Sequence, residues 1–224
     1  MSGLITTYQH WYGKCVDAVK HLDGVASLLM RLILGPVLIA AGWGKLNGAN
    51  WFGSMQDGFP FPFNVLPPEL SWFMASWTEF LGGIMLLVGL AVRWISIPLM
   101  VTMWVAAVAV HWDNGWTAIA PSSPAPICIE GSEAAAEAGS FEKFAKCYNV
   151  NERTIEASKR LAQGKKIMRE NGNTRWLNQY GSFVKLNGGI EFAATYFAML
   201  MALVMIGGGR YFSLDYWIGF FTKR

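Results

Sequence analysis

The sequence predicts an all-α polytopic membrane protein, four spanning helices in a bundle, with a small helical extramembrane insert between spans three and four. Three observations predict it. Hydrophobic residues make up 53% of the 224 positions against 15% charged, a balance foreign to a water-soluble chain of this size. Apolar runs of about 20 residues, the length that crosses a bilayer, recur along the chain. Eleven tryptophans suit the aromatic belts that mark membrane–water boundaries. A long polar insert dilutes the mean hydropathy to +0.30. The formal charge of +3 and the lack of a basic stripe with interleaved aromatics exclude nucleic acid as a partner.

Residues 1–24 set Lys14 and Lys20 against Asp17 and Asp23 among early aromatics, and read as an interfacial segment. They lack the basic start, short apolar core and small-residue cleavage site of a signal peptide, so no processing is expected. Residues 25–111 hold spans one to three. The first runs from about Val25 to Gly44, with Arg31, Gly35, Leu38, Gly42 and Lys45 on one helix face and Pro36 expected to kink it. The loop 46–70 is rich in Gly, Pro and aromatics and reads as an ordered interfacial cap. The second span is expected from about Leu70 to Val92. It carries Glu79, with Gly82 and Gly83 one turn on, where another helix can approach closely enough to satisfy the carboxylate. The third is expected from about Ile95 to His111, which puts Pro98 in a first turn.

Residues 112–187 form the insert, first proline-rich (PSSPAPICIE), then helical around GSEAAAEAGSFEKFAKCY and NERTIEASKRLAQGKKIMRE, with Gly172 as a stop. Residues 188–224 supply a fourth span to about Ile206, opened by Glu191, then a GGGR turn and an aromatic tail. Four spans place both termini on one side. Lys14, Lys20, Arg93, Arg210, Lys223 and Arg224 fall there, so that side is expected to be cytoplasmic and the insert outside, in a bacterial inner membrane.

Cys15, Cys128 and Cys147 form no CxxC and no zinc-like spacing. The topology puts Cys128 and Cys147 together outside, where a disulfide closing about 20 residues is worth about 3 kcal/mol in the chain-entropy model. A structural bond is favoured over a redox-active pair, because no neighbouring His or helix start lowers a thiol pKa.

Four pieces of the chain resemble the DoxX family of membrane proteins: RLILGPVLIAAGWGKL, WTEFLGG with GLAVRW, AVAVHWDNGW, and GIEFAATY with GGGRYFSLD. The insert is longer than the connection usual in that family. The resemblance implies a redox-associated membrane subunit, with relatives in thiosulfate:quinone oxidoreductase, near thiol-stress systems and beside maturation of copper-binding peptides. A quinone is the cofactor it suggests. The alternative it leaves open is a non-catalytic membrane partner that docks a soluble or membrane protein through residues 112–187 or assists maturation of a copper-binding peptide.

Counting helical rise from each membrane face places Arg31 and Glu79 both near mid-depth of a core about 30 Å thick. A salt bridge between them is expected, either fixing bundle register or, with Trp43, lining a cofactor site. Lys45, His111 and Glu191 arrive at the outer interface from three spans. A cation, an imidazole and a carboxylate there suit catalytic proton exchange with a quinone headgroup, while snorkelling of Lys45 and interfacial hydrogen bonding by His111 are the simpler reading. No metal site is expected, since one His with scattered carboxylates offers too few nitrogen or sulfur ligands.

Overall fold

The computed structural model describes residues 5, 7–14 and 23–222; the expectations for Cys15, Asp17, Lys20, Lys223 and Arg224 lie outside them. Residues 7–14 are helical, with Tyr8, Trp11 and Tyr12 exposed. The helices that follow are α1 (Asp23–Asn47), α2 (Pro68–Val88), α3 (Val92–Val105), α4 (Glu133–Glu137), α5 (Ser140–Cys147), α6 (Glu152–Asn171), α7 (Thr174–Leu177), α8 (Glu191–Ile206) and α9 (Leu214–Thr222). A π-helical turn, Ala106–His111, continues α3. The β pairing among the described residues is one antiparallel bridge, Ile119 with Leu186.

Among the described residues three helical stretches are long and apolar enough to cross a membrane, Gly24–Asn47, Pro68–Val88 and Val92–Asn114. Their outward residues are apolar, as a lipid-facing surface requires: Leu29, Leu32 and Ile33 on α1 are all more than half exposed. The fourth apolar helix, α8, has 16 residues. At 1.5 Å per residue it covers about 24 Å, short of the roughly 30 Å hydrocarbon core.

The chain divides into two compact units, one of residues 1–56, 61–103 and 196–224, the other of 57–60 and 104–195. The first unit buries a core drawn from four helices: Leu34 and Leu38 of α1, Leu86 of α2, Val92, Leu99 and Met103 of α3, Leu200 and Leu203 of α8. Small residues let these helices close. A Cβ on Gly83 would lie 2.9 Å from the Gly35 carbonyl oxygen of α1, while one on Gly82 would meet Leu99 of α3 at 3.1 Å. The two glycines thus serve two different neighbours. In the loop, Phe52 is buried edge-on against Trp72, and the Gln56 amide donates to the Asn64 and Leu66 carbonyls.

Several boundaries differ from the sequence reading. α1 runs from Asp23 to Asn47, beyond the expected Val25–Gly44, with Pro36 inside it. α2 ends at Val88 rather than Val92, because Gly89 takes the left-handed conformation (φ 74°) and closes it. α3 begins at Val92 rather than Ile95: the Asp215 carboxylate accepts from the Ala91 and Val92 amides at 2.6 and 2.9 Å, a cap supplied by α9. Pro98 therefore lies inside α3 and not in its first turn.

The second unit carries the insert. Two arms join at its base, where the Ala120 amide donates to the Lys185 carbonyl and that of Asn187 to Ala118. α6 is started by Asn151, whose side chain accepts from the Thr154 amide and hydroxyl, and stops at Gly172 as expected. Its buried face, Thr154, Ala157, Ser158 and Leu161, packs with Ala120. Cys128 and Cys147 are joined in a disulfide with α-carbons 5.3 Å apart.

Candidate functional site

Helices α1 and α2 run antiparallel in contact, and their register decides which charges meet. The Cβ of a residue at Gly42 would lie 2.4 Å from the Phe80 nitrogen. This close approach, one turn before Lys45, carries the ammonium to the Glu79 carboxylate, where the two form a salt bridge. The Glu79 side chain is 6% exposed and that of Lys45 20%. Two charges taken out of water gain from each other only if the geometry is good, and removing either one leaves the other uncompensated. Aromatic rings frame the pair. Trp43, 57% exposed, has its ring centroid 5.7 Å from Phe80, and Phe80 stands edge-on to Trp77 at 6.2 Å. The arrangement offers a cation, a carboxylate and an aromatic wall at one partly open edge of a helix pair. A polar carbonyl headgroup of a lipid-soluble molecule is the chemistry it fits.

Arg31 does not pair with Glu79, contrary to the expectation from depth. Arg31 lies level with Leu86 and Leu87, to whose carbonyls its Nη1 donates at 3.2 and 3.3 Å. From Glu79 to Leu87 is eight residues, or about 12 Å of helix, beyond the reach of either side chain. The guanidinium's Nη2 donates to the Phe212 carbonyl at 2.8 Å. The last carbonyls of a helix have no partner within it and carry the negative end of its dipole, so they suit a buried forked cation. Gly89 is needed beside it, since a Cβ there would lie 2.5 Å from Nη1. The same end is fastened by Ser27, whose hydroxyl donates to the Gly207 carbonyl at 2.7 Å, and by Asp215.

In the second unit, the π-helical turn ends at His111, whose Nδ1 lies 2.6 Å from the Gly188 carbonyl oxygen. A carbonyl only accepts, so Nδ1 carries the proton, and Nε2 is the basic nitrogen of the neutral ring. The Asn114 amide donates to the same carbonyl at 3.2 Å. Glu191 accepts from the Ala118 amide at 2.9 Å. Both sequence-chosen residues therefore tie residues 111–118 to residues 188–191, though they share no hydrogen bond with each other. Lys45 is engaged by Glu79 in the first unit. Asp215 was not singled out by the sequence reading; the signal available was a lone carboxylate in an otherwise apolar aromatic tail.

Long helices with apolar outer faces, small-residue contacts and buried charges matched inside the first unit define an integral membrane protein of the all-helical class. Residues 26–112, the stretch that holds Arg31, Lys45, Glu79 and His111, match the DoxX family. Over 94 residues the chain is 36% identical to an uncharacterized protein of Haemophilus influenzae, a match covering 42% of this chain and 62% of that protein. No solved structure matches.

Proposed function

We propose that the chain is a redox-associated subunit of a bacterial inner membrane, binding a quinone headgroup at the edge formed by Trp43, Lys45 and Glu79. One observation carries the reading: an ion pair inside a membrane helix pair, open on the Lys45 side and walled by aromatic rings. Ionisable residues in spanning helices are expensive and mark pathways for substrates or protons by default. The ammonium can donate to a quinone carbonyl and Glu79 can exchange the proton that accompanies reduction. His111 and Glu191 belong to the same reading as candidates for proton exchange at the outer interface. The basic residues Lys14, Arg93 and Arg210 favour cytoplasmic termini.

The test is a titration of the purified full chain with a short-tailed ubiquinone or menaquinone analogue, read by tryptophan fluorescence. Saturable binding weakened at least tenfold in Lys45→Met and in Trp43→Ala supports the site. Absence of binding, or equal binding by the variants, sinks it.

A second reading, a non-catalytic partner that docks a soluble protein, draws on the exposed rings of Phe141 and Phe144 on α5 and of Tyr148, the residue that follows it. Cross-linking from a photoreactive residue at Phe144 to a single soluble protein, in a preparation that binds no quinone, would favour it.

A further inference from the structure

Residues 126–148 contain a 3-10 turn (Pro126–Cys128), α4 and α5, and not one of them is buried. The following helix, α6, differs sharply, with Thr154, Ala157, Ser158 and Leu161 buried. Apolar packing therefore does not hold segment 126–148 in place. Its backbone hydrogen bonds close over short distances in sequence, as from the Tyr148 amide to Phe144, and Ser132 Oγ donates to the Pro126 carbonyl at 2.8 Å; the turn and α5 otherwise meet at the bond itself, where Cys128 Sγ lies 3.5 Å from the Lys146 carbonyl oxygen. The long link is covalent, Cys128 to Cys147 across 19 positions. Both cysteines are partly exposed, which gives an incoming thiolate a path to the sulfurs.

We propose that the Cys128–Cys147 bond is a thiol–disulfide exchange site, and that its reduction releases α5 from the Pro126–Cys128 turn while the rest of the insert stays folded. The reductant is a dithiol. One of its thiolates attacks a sulfur of the bond, forming a mixed disulfide and expelling the other cysteine as a thiolate. The second donor thiol then closes the donor's own disulfide. Two electrons and two protons pass to Cys128 and Cys147, and the donor is oxidised by the same amount. Cys147 ends α5, where the partial negative charge of the helix terminus disfavours a thiolate, whereas Cys128 lies in a turn. The better leaving thiolate departs faster, so attack falls on Cys147. Once open, α5 with Phe141, Phe144 and Tyr148 is tethered by chain alone. This inference does not depend on the quinone reading.

The experiment uses the full chain in lipid nanodiscs without denaturant. Increasing dithiothreitol is followed by alkylation with mass counting, and amide hydrogen exchange is measured on the oxidised and reduced forms. The proposal expects both thiols to label under native conditions and, when the monothiol glutathione replaces dithiothreitol and the reaction on the oxidised wild-type chain is quenched early with acid, the mixed disulfide to be found on Cys147. It also expects protection within 126–148 to fall by up to about 100-fold, the loop-closure value for this length, with α6 and the spans unchanged. A bond that resists reduction until the chain unfolds would overturn it. So would unchanged exchange in 126–148, or loss of protection that spreads into α6. The double variant Cys128→Ser/Cys147→Ser should reproduce the reduced pattern without reductant. If that variant does not fold, the bond is a requirement of the whole structure and the proposal fails.

Discussion

Two ends of one helix treat a buried cation in opposite ways. Arg31 and Lys45 share a face of α1 and both reach α2, yet Arg31 is fully buried and takes backbone carbonyls, while Lys45 keeps partial contact with its surroundings and takes a carboxylate. The difference follows from what α2 presents at each level. At its C-terminal end the helix offers carbonyls with acceptor capacity left over, Leu86 accepting from the Gly89 amide as well, and a rigid fork reaches two of them at a time. In its middle every carbonyl is committed to the helix, so a cation there needs a side-chain acceptor, and Glu79 is one. Charge sign alone would have allowed either pairing; register and helix ends decide.

The largest effect should come from Arg31. Arg31→Met removes three charge-assisted hydrogen bonds and leaves the Leu86, Leu87 and Phe212 carbonyls without them in an apolar bundle, an expected loss of about 3–5 kcal/mol, the range for breaking a buried charged network. Arg31→Lys keeps the charge but cannot fork, so it should recover less than half of that loss. Thermal unfolding in a fixed detergent measures both. Full recovery by Lys would mean that charge, and not fork geometry, is what this end requires.

Next in size is the other end. Lys45→Met strands a carboxylate whose side chain is 6% exposed, and should cost about 2–3 kcal/mol. Glu79→Gln leaves an ammonium able to reach outward along its stem, and should cost about 1 kcal/mol. The double variant should be more stable than Lys45→Met alone, the excess being the coupling energy of the pair. Strict additivity of the two would show that they do not interact, and the contrast between the two ends would collapse.

What the sequence made legible was periodicity. The spacing of Arg31, Gly35, Leu38, Gly42 and Lys45 marked the inner face of α1; the first four are buried and Lys45 is partly so. The glycines after Glu79 announced close packing. The pairing of Glu79 was not legible, because residue counts from assumed membrane faces carry errors of several positions, and each position shifts the level by about 1.5 Å. The Asp215 cap was hidden for another reason: it acts across more than a hundred positions on amides that only the α2–α3 turn exposes. In the site, Lys45 and Glu79 were both chosen in advance, but assigned to different clusters.

A smaller effect tests how the Arg31 end is assembled. Asp215→Ala removes the acceptor of the Ala91 and Val92 amides, and should cost about 1–2 kcal/mol, as loss of a helix N-cap does. Asp215→Asn should retain part of the cap. If Arg31→Met and Asp215→Ala add without coupling, the carbonyl lock and the cap are separate devices that happen to share a turn; a shortfall from additivity makes them one.

The smallest effect calibrates the comparison against water. Lys159 and Glu156 on α6 form a salt bridge at 2.7 Å with side chains 67% and 53% exposed, the opposite extreme from Lys45 and Glu79. The hydrogen bond from Lys159, followed by its charge, holds the Glu156 carboxyl below its ordinary pKa. A carboxyl depressed in the folded state contributes stability above its unfolded pKa, and that contribution fades as pH falls through the folded value. Lys159→Ala should return Glu156 toward the ordinary carboxylate range, visible in a carboxyl titration of glutamate-labelled protein, and should leave Tm unchanged at neutral pH because solvent screens the pair. A measurable drop in Tm would mean that exposed pairs matter in this fold. The stability losses at Lys45 and Glu79 could then no longer be ascribed to burial alone.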